Sequence, residues 1–212
     1  MKNKSISVII TVFNRNKLFF RALKSVLNQS YKNYEIIIID DGSTDKIETI
    51  LFPILKKHNN ITYYRQQNKG NPEALNTGIL LANGKYITFL DSDDQYMKNH
   101  LESRIYFFKK NPEIDIIYSP ATIIGSDKDF FVPDARNKKR LIHLDKCVIG
   151  ATFFGKREVF INLRGFKNKY SHDFDFYKRA IKSYNVFKLE IPTYIYFRGY
   201  HNGVINNLKK NM

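Results

Sequence analysis

The sequence has no tryptophan and a single cysteine, Cys147, in 212 residues. A lone thiol closes no internal disulfide, so a reducing compartment is the simplest setting, and Cys147 reads as a small apolar residue rather than a nucleophile. No apolar run approaches the ~20 residues that cross a bilayer, and no secretory leader is visible, so a cytoplasmic protein is expected. Also missing are a G-x-G-x-x-G after the first strand-like run, any H-E-x-x-H and any C-x-x-C. Their absence argues against a dinucleotide oxidoreductase and a zinc site. Gly150 to Arg157 (GATFFGKR) nearly spells a phosphate-binding loop, but Arg157 stands where Ser or Thr would ligate Mg²⁺. Two phenylalanines also occupy positions where backbone would have to wrap phosphates.

What is present indicates a packed α/β protein. Hydrophobic residues make up 43% and aromatics 15%, enough for a core and too much for global disorder. The formal net charge is +15, and residues 151–212 alone hold 12 basic and 4 acidic side chains. Such a surplus attracts anionic lipid head groups or phosphorylated substrates, and it serves equally well as a solvated face.

Ile6 to Val12 reads as a buried strand, followed by a helix with Leu18, Ala22, Leu23, Val26 and Leu27 on one face. Tyr34 to Ile39 is a second strand, apolar enough for burial on both sides. Strands at 61–65, 86–90 and 115–119 then alternate with helices at 46–57, 73–82 and 98–110. This alternation predicts a mostly parallel sheet flanked by helices. Beyond it, the pattern predicts a mobile basic loop over 126–140, a strand over 147–154, and helices over 156–162 and 171–182. Segments 186–189 and 194–197 read as a closing pair of strands, and the C-terminal segment is expected to pack onto the sheet. Polar clusters at 11–14, 40–45 and 91–94 all follow strands, so they are expected to meet in one crevice beyond the strand ends.

The Asp91-Ser92-Asp93-Asp94 cluster carries the chemistry. Three carboxylates in four residues after a buried strand repel one another unless a cation offsets them, and hard oxygen ligands suit Mg²⁺ or Mn²⁺. Mg²⁺ typically takes one or two protein carboxylates and completes its shell with substrate phosphates. By itself the cluster reads equally as a solvated turn capping the next helix.

The runs SVIITVFNR, ALKSVLNQSYKNYEIIIIDDGSTD and NTGILLANGKYITFLDSDD, in this order and spacing over about residues 5–120, closely resemble the family 2 glycosyltransferases of the glycosyltransferase-A fold. The resemblance implies a single Rossmann-like α/β domain over 1–212. Residues 1–120 would form a nucleotide-sugar-binding half and 121–212 an acceptor-binding half with a small acceptor-side subregion. It implies an inverting transfer of one sugar from a nucleotide-sugar, a UDP-sugar foremost, with Mn²⁺ or Mg²⁺ as cofactor. Thr11 and Phe13 would line the base site, with Asn14 and Arg15 beside them and Asp41 accepting a hydrogen bond from the base. Asp91, Ser92 and Asn76 would complete the donor site, and Asp93 would bind the metal.

The resemblance thins after residue 120 but continues at Gly150 to Phe166. It makes Asp173 the catalytic base, with Asp175 as the fallback, and places Arg198 on the diphosphate and His201 on the metal or phosphate. Two departures stand out: His172 replaces an acidic residue before the base, and Leu75 stands where relatives carry arginine, leaving Arg198 or Lys69 to compensate. Processive relatives carry a distal motif ending in tryptophan, which this chain lacks.

The acceptor would be a glycan or a lipid-linked glycan of a bacterial surface polysaccharide or lipooligosaccharide, with peripheral contact to anionic membrane and no nucleic-acid partner. The competing readings are a sugar nucleotidyltransferase and a non-catalytic module that binds polyanions or a membrane surface. The first wants a glycine-rich loop where Phe13-Asn14-Arg15-Asn16 has none. The second leaves the acidic strand ends unexplained.

Overall fold

The structure is a computed structural model that describes residues 4–199. Its first half runs β1 (Ile6–Val12), α1 (Asn16–Leu27), β2 (Tyr34–Asp40), α2 (Glu48–Leu55), β3 (Ile61–Arg65), α3 (Asn71–Leu81) and β4 (Tyr86–Asp91). There follow β5 (Gln95–Tyr96), α4 (His100–Lys110), β6 (Ile116–Tyr118), β7 (Ala121–Ile124), β8 (Phe131–Pro133), β9 (Leu141–His143) and β10 (Phe154–Lys156). The last elements are α5 (Arg157–Asn162), α6 (His172–Ala180), β11 (Val186–Lys188) and β12 (Tyr194–Phe197).

Seven strands form the main sheet in the order β11-β6-β10-β4-β1-β2-β3, and only β10 runs antiparallel to its neighbours. The apolar runs of β1 and β2 suit this position because both faces of the sheet are covered. Ile6, Val8, Ile10 and Val12 point to a core closed by α1, α2 and α4, whereas Ile9 points to a second core closed by α3, α5 and α6. In α1 the spacing of Phe19, Ala22, Leu23 and Val26 gives one buried stripe. Each large apolar side chain buried there contributes about 1.5–3 kcal/mol. The mostly parallel sheet with helices on both faces matches the expected α/β class.

Several expectations for the C-terminal part are corrected. The segment does not simply pack onto the sheet: β10 and β11 are two of its strands. Residues 147–154 are not a strand but lead into a short 3₁₀ turn at Gly150–Thr152, with β10 beginning only at Phe154. The basic loop holds a 3₁₀ turn at Asp127–Phe130 and strand β8, which pairs with β9. β11 and β12 do not pair with each other. β11 joins β6 in the main sheet, and β12 joins β5 and β7 in a separate three-stranded sheet. Strands of two to four residues are too short to show a period in sequence.

The small sheet supports the acidic cluster from behind. Arg104 of α4 is fully buried there and donates to Thr193 Oγ1 (2.5 Å) and Ser119 Oγ (2.9 Å). Burial lowers its pKa to about 10. These bonds tie α4 to the residue preceding β12 and to the link between β6 and β7.

Candidate active site

β4, β1 and β2 lie side by side in the sheet, so their C-terminal ends present Asp91–Asp94, Thr11–Arg15 and Asp40–Asp45 along one edge. The expected convergence of the three polar clusters is therefore present. The turn after β2 is self-supporting: Asp40 Oδ1 accepts from the Ser43 N–H (2.8 Å) and Asp40 Oδ2 from the Tyr63 hydroxyl (2.7 Å). Asn14 takes a left-handed φ of 51° and laces this turn to β1. Its N–H donates to Ser43 Oγ (3.0 Å) and its Oδ1 accepts from the Thr44 N–H (2.8 Å). Thr11 donates to Asn71 Oδ1 (2.6 Å), fixing the start of α3. Phe13 is 45% exposed, an open aromatic surface beside these braces.

Asp41 is buried and already works within the chain. Its Oδ1 accepts from Gln66 Nε2 (2.8 Å) and the Lys69 N–H (3.0 Å), and its Oδ2 accepts from the Gly70 N–H (2.8 Å). The carboxylate thus shapes the 66–70 loop, and a ligand N–H would take one of its remaining lone pairs. Asn76 is not brought to the crevice. Its amide donates to the Phe166 carbonyl and accepts from the Phe166 N–H, both at 2.8 Å, pinning α3 to the segment after α5. Gly165 is required for that approach, because a Cβ there would lie 2.0 Å from Asn76 Oδ1. Asn76→Ala is expected to cost about 1–3 kcal/mol from the two lost bonds, seen as a lower Tm, with nucleotide affinity unchanged. A selective loss of nucleotide affinity at unchanged Tm would return Asn76 to the donor site.

Within the acidic cluster the carboxylates divide their roles. Asp94 is fully buried, accepting from the Tyr194 hydroxyl (2.6 Å) and the Phe197 N–H (2.8 Å), which locks the cluster to β12. Ser92 is buried, and the Asp91 N–H donates to the Tyr194 hydroxyl (3.3 Å). Burial, then the like charges of Asp93 and Asp173, push the Asp91 carboxyl up to about 7 against the opposing pull of Arg15. Asp93 remains partly exposed and pairs with Arg15 Nη1 at 2.9 Å, while Arg21 donates to its backbone carbonyl. Arg21 in turn lies over the Phe197 ring, 3.7 Å from its centroid. Sequence reading missed Arg21 and Tyr194, whose roles depend on contacts between distant segments that leave no local pattern.

Asp173 opens α6 and lies near enough to Asp91 to repel it. Its Oδ1 accepts from the Phe174 N–H (2.7 Å) and Ser171 Oγ (3.2 Å), and the Gly150 N–H reaches its Oδ2 (3.4 Å). Gly150 allows this proximity, since a Cβ there would sit 2.6 Å from the Asp173 Cβ. Asp175 is turned away and paired with Lys169 (2.5 Å) and Arg179 (2.9 Å). Burial would raise its pKa, but those two cations lower it, so it makes a poor base. Arg198 donates to the Asp129 carbonyl (3.1 Å) and the Tyr196 hydroxyl (3.4 Å). Its buried Nη2 has no hydrogen-bond partner among the described residues. His201 lies outside the described residues. Burial, then the nearby Asp173, Asp134 and Asp145, raise the Cys147 thiol to about 11, so it stays protonated.

The site fits a hard divalent cation in the way Mg²⁺ and Mn²⁺ are usually held. Asp91 and Asp93 offer oxygen ligands, and a guanidinium already occupies the position of a counter-charge on Asp93. Among the described residues no three His, Cys, Asp or Glu side chains form a metal-ligating group, so a cation would take further oxygens from water and a phosphate ligand.

A nucleotide-type α/β sheet with an acidic pair at the end of β4 and a third carboxylate facing it defines a glycosyltransferase-A architecture. The sequence pattern of glycosyl transferase family 2 matches residues 7–182, and the chain belongs to that family. It is 49% identical over 111 residues to an uncharacterized glycosyltransferase of Rickettsia conorii, covering 52% of this chain and 18% of that protein. It is 34% identical over 198 residues to one of Rickettsia typhi, covering 86% of this chain and 60% of the relative. The chain therefore spans less than two thirds of either relative. The fold is similar to S. aureus TarS 1-349 in complex with UDP-GlcNAc, with TM-score 0.74, 20% identity and coverage of 96% and 60% of the two chains. It is also similar to the mannosyltransferase PcManGT of Pyrobaculum calidifontis in complex with GDP-Man and Mn²⁺, with TM-score 0.68, 20% identity and coverage of 90% and 56%.

Proposed function

We propose that the chain transfers one sugar from a UDP-sugar to a hydroxyl of a glycan or lipid-linked glycan, with inversion at the anomeric carbon. The observation that carries this reading is the placement of Asp173 near the Asp91 carboxylate in a family 2 fold. Asp173 accepts the proton of the acceptor hydroxyl as that oxygen bonds to the anomeric carbon and the bond to the diphosphate breaks on the opposite side. Phe13 offers the nucleoside base a stacking face, and the Arg198 guanidinium pairs with phosphate oxygens. Asp93, with Asp91, would hold Mn²⁺ or Mg²⁺, which supplies a Lewis acid for the charge that develops on the departing diphosphate. UDP-GlcNAc in the first similar structure supports the donor, and Mn²⁺ in the second, there beside GDP-Man, supports the metal class. A calorimetric screen of nucleotide-sugars with and without Mn²⁺ tests it. Metal-dependent binding of a UDP-sugar is expected, and indifference of folded protein to every nucleotide-sugar would refute the reading.

A basic surface supports peripheral contact with the inner face of an anionic membrane. Arg164, Lys167 and Lys182 line one hollow with Arg179, and Ile161 and Ile181 beside it are 39% and 49% exposed. No described carboxylate pairs with Arg164, Lys167 or Lys182. Clustered cations beside exposed aliphatic side chains suit an anionic lipid surface, at about 1 kcal/mol per basic residue. No helix among the described residues is long and apolar enough to cross a membrane. Cosedimentation with phosphatidylglycerol vesicles, but not with phosphatidylcholine vesicles, is expected at low salt. Equal binding to both would eliminate the contact.

A further inference from the structure

The charges of Asp93 and Asp173 both bear on Asp91 across the crevice, and Arg15 is the cation that opposes them. The Arg15–Asp93 pair is closed at 2.9 Å, with the two side chains only 19% and 24% exposed, so water screens it weakly. Arg15 is well placed to change partners. Its carbonyl accepts from the Leu18 N–H (3.0 Å) and the Phe19 N–H (2.9 Å), which fixes its backbone at the start of α1. The guanidinium carries five N–H donors, so it can address more than one anionic partner. Asp93 does not depend on Arg15 for its position, because Arg21 holds its backbone carbonyl while stacked on Phe197. One arginine positions the metal-ligand residue, and the other neutralises it.

We propose that Arg15 is a placeholder cation: it neutralises Asp93 while the crevice holds no donor, and it transfers to the donor diphosphate when metal and nucleotide enter together. This rests on reading the crevice as a metal-and-diphosphate site. Metal without nucleotide must displace a bound guanidinium and meet its repulsion, so it binds weakly. A diphosphate offers the guanidinium a bidentate partner of higher charge and frees the Asp93 oxygen. Arg15 thereby contributes to a coupling between metal and nucleotide that is reciprocal by linkage.

Removing the charge should move the two affinities in opposite directions, which a merely structural residue would not do. Mn²⁺ binding is measured from the paramagnetic resonance signal of free Mn²⁺, with and without UDP, on wild type, Arg15→Gln and Arg15→Met. UDP binding is measured by calorimetry at saturating Mn²⁺. Both variants are expected to bind Mn²⁺ alone about tenfold more tightly than wild type and UDP about tenfold more weakly, the scale of one lost close charge contact. Arg15→Lys keeps the charge and should hold Mn²⁺ affinity near wild type. If wild type binds Mn²⁺ and UDP but the folded Gln and Met variants bind Mn²⁺ alone no more tightly, the placeholder role is overturned and the site reading survives. If wild type binds neither, both are overturned.

Discussion

Asp173→Asn is expected to lower transfer by about 10²- to 10⁴-fold, the usual contribution of a general base, while UDP still binds in the presence of Mn²⁺. The substitution is nearly isosteric. Oδ1 can still accept from the Phe174 N–H, the short bond that orients the carboxylate at the start of α6. What disappears is the capacity to take a proton, which the proposed mechanism requires at this position. Two nearby carboxylates are committed elsewhere: Asp175 to Lys169 and Arg179, and Asp94 to Tyr194 and the Phe197 N–H. The split matters more than the size of the loss. A fall in kcat with donor affinity retained identifies the base, whereas turnover within about threefold of wild type would show that the proton leaves by another route.

The second large effect is expected at Asp93→Ala. Loss of this carboxylate should abolish the Mn²⁺-dependent part of UDP binding and lower kcat/KM by about 10³-fold, since a metal contributes several kcal/mol of charge stabilisation. The fold should survive. Asp93 is partly exposed, and Arg21 bonds to the backbone carbonyl that alanine retains. A thermal melt close to wild type combined with lost metal dependence is the expected result. Metal-dependent UDP affinity equal to wild type, in the folded variant, would move the metal away from Asp93.

Legibility followed the length of the elements. β1, β2 and β4 are six or seven residues long and fully or almost fully buried, so their apolar runs showed both the strands and the parallel sheet. The three polar clusters could then be placed at one edge, because strand direction determines which end each occupies. The part built by short strands was not legible. Phe154–Lys156 carries no period, yet it sits between β4 and β6. Tyr194–Phe197 was readable as a strand but not as the partner of Gln95–Tyr96. Side-chain commitments were hidden for a related reason. Nothing local to Asn76 shows that both ends of its amide are taken by Phe166, and nothing local to Arg21 shows that it reaches Asp93.

The antiparallel strand β10 also constrains when the crevice can exist. Phe154 pairs with Thr88 on one side and Ile117 on the other, so β4 cannot complete its hydrogen bonding until a segment far along the chain has arrived. During synthesis the β1–β4 core emerges first, with an unpaired edge on β4, and long-range closures of this kind are slow steps in folding. Asp173 follows β10 in sequence and packs against Gly150, just upstream of the same strand. The nascent chain therefore passes through a stage that has β1, β2 and β4 but not the Asp173 carboxylate. A product truncated before residue 154 would expose the β4 edge to aggregation rather than act as a partial enzyme.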